Sequence, residues 1–191
     1  MTTILDRMPR IADGALTAAQ KSAAAAFREL RGVDISGPFV PLLRSPELMA
    51  RVQAVGEFLR YRNALGNPLS EFAILIVARR WSQNTEWAIH KPIALKAGVS
   101  ADIAQAFEDG RRPDAMSEDQ ALVFDFEAEL ERSLGISDAT YARAQNRFGE
   151  QGVIELTAIF GYYRLLAMVM NVARSEAPDG PRLKSLPERG K

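Results

Sequence analysis

The one histidine of this 191-residue chain, His90, follows Glu86 by four positions in the stretch WSQNTEWAIH. In a helix that spacing puts both side chains on one face, close enough to touch. A carboxylate beside an imidazole raises its pKa and selects its tautomer, which makes histidine usable as an acid or base near neutral pH. The same pair also occurs on solvated helix faces, where it needs no function. A second carboxylate, Glu71, opens the apolar run FAILIVA. Kept in such surroundings it must be paired, hydrogen-bonded or protonated, although in a first helical turn it could instead complement the helix dipole and face solvent.

Around these three lie further candidates. Arg79 and Arg80 end the apolar run and could grip a substrate carboxylate in bidentate fashion, or complement the C-terminal dipole of their helix. Trp81 and Trp87 flank the motif as substrate platforms or as core and interface anchors. Tyr162, Tyr163 and Arg164 interrupt an apolar helix, where they could line the same cavity or an interface. Carboxylate and imidazole donors suit iron, manganese or zinc, but one histidine with two carboxylates makes no ligand repeat. Neither a metal nor a cofactor is expected.

Composition removes whole classes of chemistry. With no cysteine, the chain has no disulfide scaffold, no thiolate ligand and no thiol nucleophile or redox dithiol. Lys plus Arg equals Asp plus Glu at 24 each, with no long block of one sign, so neither nucleic acid nor an acidic membrane is an expected partner. The N-terminus MTTILDRMPRIADG has charges and a proline where a secretory signal needs an apolar stretch, and the longest apolar runs are short or interrupted by Arg164. A cytoplasmic protein without a transmembrane segment is expected.

The elements that must hold these residues read as helices throughout, with start and stop signals but no alternating strand pattern. Thr17 caps a first helix ending near Gly32, and a proline-bearing loop, DISGPFVPLLR, follows. Ser45 and Pro46 open a second helix through Tyr61. Pro68 begins the third, LSEFAILIVARRW, apolar on nearly every side and therefore buried in the domain or between subunits. The fourth holds Glu86 and His90 and ends at Gly98, with Pro92 expected to bend it or break it soon after His90. Ser100, Ser117 with Gln120, and Ser137 start three more, the last ending near Gly149. A final long helix runs to about residue 174, and SEAPDGPRLKSLPERGK reads as a tail.

The stretch EFAILIVARRWSQNTEWAIHKPIALKAGVS, residues 71–100, resembles the carboxymuconolactone decarboxylase family, which includes the alkylhydroperoxidase AhpD-type proteins. The resemblance rests on the Glu that opens the apolar helix, the A-R-R-W that ends it, the E-W-x-x-H-x-P-x-A run and the A-G-V-S stop. The flanks GPFVPLLRSPELMARVQAVGEFLRY, GRRP, FGEQGVIELTAIFGYY and AMVMNVAR extend it over roughly residues 37–174. It implies an all-α, AhpD-like domain of about seven helices over residues 37–174, with residues 1–36 an N-terminal helical extension and 175–191 a tail. The peroxidases of the family place two cysteines seven and four residues before the histidine; here those positions hold Gln83 and Glu86.

The resemblance therefore implies the acid–base half of such a site without its dithiol. It points to a lyase acting on a small cyclic or unsaturated carboxylic acid or lactone, with His90, Glu86 and Glu71 as catalytic groups and Arg79, Arg80, Trp81, Trp87 and Tyr162 around the substrate. In that scheme His90 donates the proton, Glu86 holds and polarises it, Glu71 relays protons or is kept neutral, and an arginine grips the retained carboxylate. Isomerisation, hydration, lactone opening and a non-catalytic family member are the alternatives. The resemblance also implies a homo-oligomer, commonly a trimer or hexamer, and the two very apolar helices suggest a subunit interface as an outlet.

Overall fold

A computed structural model of the chain describes residues 6–183. The first residues of the expected extension and residues 184–191 of the expected tail lie outside the described residues. Among those described there is no strand, and the helices in chain order are α1 (Ala18–Arg31), α2 (Phe39–Leu42), α3 (Pro46–Tyr61), α4 (Asn67–Arg80), α5 (Asn84–Lys96), α6 (Ala101–Glu108), α7 (Glu118–Ser133) and α8 (Asp138–Ala173).

The starts follow the chemistry of the chain. Thr17 and Ser117 each form a reciprocal capping box with the glutamine three residues on, and Ser100 and Ser137 accept from backbone N–H groups of the first turns of α6 and α8. These contacts satisfy amides that a helix cannot pair internally. Gly32 ends α1 in the left-handed conformation.

One element departs from the sequence reading, and at another an open alternative is resolved. The proline-bearing loop contains the short helix α2, whose Phe39, Pro41 and Leu42 are buried; one turn of helix is too short to leave a periodicity. Of the two outcomes expected at Pro92, a bend or a break, the break does not occur: α5 continues to Lys96, just short of the expected stop at Gly98. A proline removes one helical hydrogen bond, and buried Trp87 and His90 before it, with buried Ala94 after it, hold both flanks in the core.

At the centre lies α4, packed against α3, α5, α6, α7 and α8. Every residue from Ser70 to Arg79 is buried, so its all-round apolarity is used up within one chain. Burial of Phe72, Ile74, Leu75 and Ile76 contributes about 2 kcal/mol each. The first helix is not peripheral to this arrangement: Ala24 and Phe27 belong to the same core, and the Phe27 ring packs on Phe39 at 4.9 Å. The two helices expected on either side of Gly149 are both present, carried here under the one label α8, and the chain kinks between them where Gly149 leaves helical geometry (φ 68°, ψ 173°). By length and composition α8 could span a bilayer, yet Leu156, Ile159, Phe160, Leu166 and Met170 are buried in the protein core.

Candidate active site

Helix α4 delivers Glu71 and helix α5 delivers Glu86 and His90 to one point in the interior. The N-cap of α5, Gln83, sets the register: its Oε1 accepts from the Thr85 amide at 2.8 Å, and its Nε2 donates to Asn171 Oδ1 on α8 at 2.7 Å. Gln83 thus ties α5 to α8. From this start Glu86 and His90 follow on the inward face, where both are buried.

His90 is held from both sides. Its Nδ1 lies 2.8 Å from Glu71 Oε2 and its Nε2 3.3 Å from Glu86 Oε2. The i,i+4 contact expected from the sequence is present, but the shorter contact is the one to α4. The solvent-facing alternative for Glu71 does not occur, because the residue is 1% exposed. Burial alone would lower the imidazole pKa, but hydrogen bonds and charge from the two carboxylates outweigh it and raise the pKa to about 9. At neutral pH His90 is therefore an imidazolium that donates to both carboxylates.

The three groups are not equivalent. His90 and Glu86 line a cavity of about 170 Å³ among α1, α2, α3, α5 and α8, together with Arg31, Arg60, Tyr162 and Tyr163. Glu71 is not among its lining residues and connects to the cavity through its contact with His90. Glu86 Oε1 is buried without a hydrogen-bond partner. It is the acceptor available to a ligand, since each ring nitrogen of His90 already faces a carboxylate. A ring edge contact at 5.2 Å sets Tyr163 against His90, and Tyr162 meets Tyr163 in the same way at 5.3 Å. Burial pushes the Tyr162 phenol up to about 12 and Tyr163 well above the ordinary range, so both stay neutral.

The remaining sequence candidates sit elsewhere. Arg79 and Arg80 line a different cavity, with Arg111 and Arg112, and Arg80 Nε lies 3.2 Å from the fully buried Glu127. Arg164 also bonds Glu127, at 2.9 Å. Trp87 is fully buried, donating from Nε1 to Glu108 Oε1 at 3.3 Å under the Lys91 ammonium. Trp81 is half-buried against the core, and its carbonyl accepts from Asn171 Nδ2. Neither indole lines the His90 cavity, and both have the anchoring placement. Among the described residues no group of His, Asp and Glu side chains is arranged to hold a metal ion.

Sequence reasoning missed Arg31, Arg60 and Gly56. The two arginines end their helices, where a basic residue reads as dipole complementation. Gly56 lies inside α3 with no signal in the sequence of what packs against it, and a Cβ there would lie 2.0 Å from Tyr162 Oη. The glycine is what lets that phenol lie against the helix.

With this geometry in view, the chain is similar to a solved crystal structure of the debrominase Bmp8, a cysteine-to-alanine variant in complex with 2,3,4-tribromopyrrole. The match has a TM-score of 0.67 at 12% sequence identity and covers 92% of this chain and 94% of that one. The fold is all-α and AhpD-like. No family model and no curated protein matches the sequence. The neighbour is an enzyme on the same fold, whereas this chain has no cysteine anywhere; a reaction that needs a thiol is closed to it.

Proposed function

We propose that the chain is a small-molecule enzyme that moves a proton through Glu86 and His90 to or from a substrate in the α3/α5/α8 cavity. The observation that carries this is a buried imidazolium clamped between two carboxylates, one of which has an unpartnered oxygen and lines a cavity. Structural ion pairs do not require an uncompensated buried acceptor, and burying one is costly. A pKa displaced by specific partners in a cleft is the usual mark of a catalytic group.

The reaction the sequence resemblance favours is decarboxylation of a carboxymuconolactone-like acid. The bond to the leaving carboxylate breaks, its electron pair enters the conjugated carbonyl, and carbon dioxide departs. The resulting enolate carbon then takes a proton from His90 by way of Glu86, and solvent restores the imidazolium. Glu86 is the group that meets the substrate, His90 is the proton reservoir, and Glu71 is a positioning residue that keeps His90 charged. This differs from a direct donor role for His90, because both of its nitrogens face carboxylates.

The test is ultraviolet-monitored turnover of freshly generated 4-carboxymuconolactone by wild type, Glu86→Gln and His90→Ala. Turnover by wild type and its loss in both variants, with helix content unchanged, is the expected result. No turnover by the wild type removes decarboxylation as the reaction. A second reading, isomerisation, is favoured by Glu86 Oε1, which is placed to act as a base on an acidic C–H. Wash-in of solvent deuterium into a recovered unsaturated acid, without loss of carbon dioxide, would distinguish it.

A further inference from the structure

The His90 cavity is also lined by two cations, Arg31 and Arg60, that are held by aromatic rings rather than by carboxylates. Arg31, at the end of α1, has its guanidinium over the rings of Phe39 and Phe27, at 4.7 and 5.3 Å. Arg60, in the last turn of α3, lies over the Tyr61 ring at 5.5 Å. Both line the His90 cavity, and neither has a carboxylate partner among the described residues. Aromatic faces hold a guanidinium in place while leaving its N–H edge free to donate.

Two further groups face the same space. Tyr162, whose phenol feels Arg31, Arg60 and Glu86 together, makes no hydrogen bond to the described residues, and as a neutral phenol it has a proton to donate. In the resting pair with His90, Glu86 Oε1 is an unpartnered acceptor. Of the charged groups that line the cavity, Arg31, Arg60 and His90 are cationic and only Glu86 is a carboxylate, with Glu71 behind His90. A small organic anion restores the balance.

We propose that Arg31 and Arg60 are the anion-binding groups of this cavity and select a small planar carboxylate, with Tyr162 donating to it and Glu86 receiving a hydroxyl or acidic C–H from its far side. The assignment moves carboxylate recognition from Arg79 and Arg80 to the two arginines that line the cavity. It makes α1, which lies outside the stretch resembling the family, part of the binding site. It rests on the cavity being the substrate site, as proposed above, but not on any particular reaction.

Binding is therefore measured apart from turnover. Isothermal titration of wild type with 4-hydroxybenzoate, which carries a carboxylate and a hydroxyl at opposite ends, is compared with 4-hydroxybenzamide, which keeps the shape and loses the charge. The acid is expected to bind at least about tenfold more tightly than the amide and to weaken as salt is raised. Arg31→Gln and Arg60→Gln should each lose that preference while circular dichroism and melting temperature stay near wild type. Equal binding of acid and amide, no binding of the acid up to millimolar concentration, or an unchanged preference in both folded variants would overturn the assignment. An intact preference in a wild type that fails to turn over any lactone would leave the anion site standing and reject only the reaction.

Discussion

At neutral pH the His90 imidazole carries a proton because Glu71 and Glu86 outweigh the cost of burying the charge. Its folded pKa, about 9, lies above the ordinary 6.5. The stability it contributes is therefore fully present below about pH 6.5 and is lost as pH rises through about 9. By linkage the loss is about 3 kcal/mol at most, and urea unfolding from pH 6 to 10 should show it in wild type and not in His90→Asn. Persistence of the slope in that variant would assign it to other groups. Glu71→Gln removes one of the two charges that hold the proton, so the His90 pKa observed by NMR should fall. The alkaline limb of any pH–rate profile should move down with it, a shift that a purely structural role for Glu71 would not produce.

At the scale of elements, two glycines do different work in helices that the sequence marks alike. Gly149 adopts φ 68° and ψ 173°, a region nearly closed to other residues, and a Cβ there would meet nothing within 4 Å. Gly149→Ala should therefore cost about 1–3 kcal/mol through backbone strain alone, read as a lower denaturant midpoint with an unchanged cavity. Gly56 has the opposite problem, ordinary helical backbone and no room, with a Cβ only 2.0 Å from Tyr162 Oη and 2.6 Å from its Cζ. Ala raises helix propensity by up to about 1 kcal/mol, but the ring it displaces packs on Tyr163, which packs on His90. Gly56→Ala is expected to be net destabilising by about 1–2 kcal/mol and to weaken ligand binding. A stable variant with wild-type affinity would show that Tyr162 can swing aside freely. Caps such as Thr17 and Ser117 were legible because an unpaired amide needs a short oxygen side chain nearby. The fate of Pro92 was not legible, since only the packing of Trp87, His90 and Ala94 decides whether the helix survives it.

At the scale of the whole molecule, the expected homo-oligomer needs a different argument from the one composition suggests. Helix α4 is enclosed by its own chain and has no need of a partner. Apolar surface remains on α3 and α8, where Val55 and Ile154 are 49% and 69% exposed beside a groove of about 700 Å³. Sedimentation equilibrium is expected to give a multiple of the 21.1 kDa chain mass, and Ile154→Glu to reduce it if that groove is the contact. A monomeric wild type would mean that these side chains are ordinary exposed apolar surface.

Residue types and their spacing were enough to establish an all-helical chain, the positions of most helix starts, the absence of thiol chemistry and the pairing of Glu86 with His90. These are local properties, set within one turn of helix or by composition. Which carboxylate dominates, which atom is left for a ligand and which arginines face it depend on contacts between helices far apart in the chain. Glu71 reaches His90 across 19 residues, and Arg31 and Arg60 come from helices that carry no part of the motif. The tertiary structure alone decided that Arg79 and Arg80 line a different cavity from His90, with Arg80 paired to the buried carboxylate of Glu127.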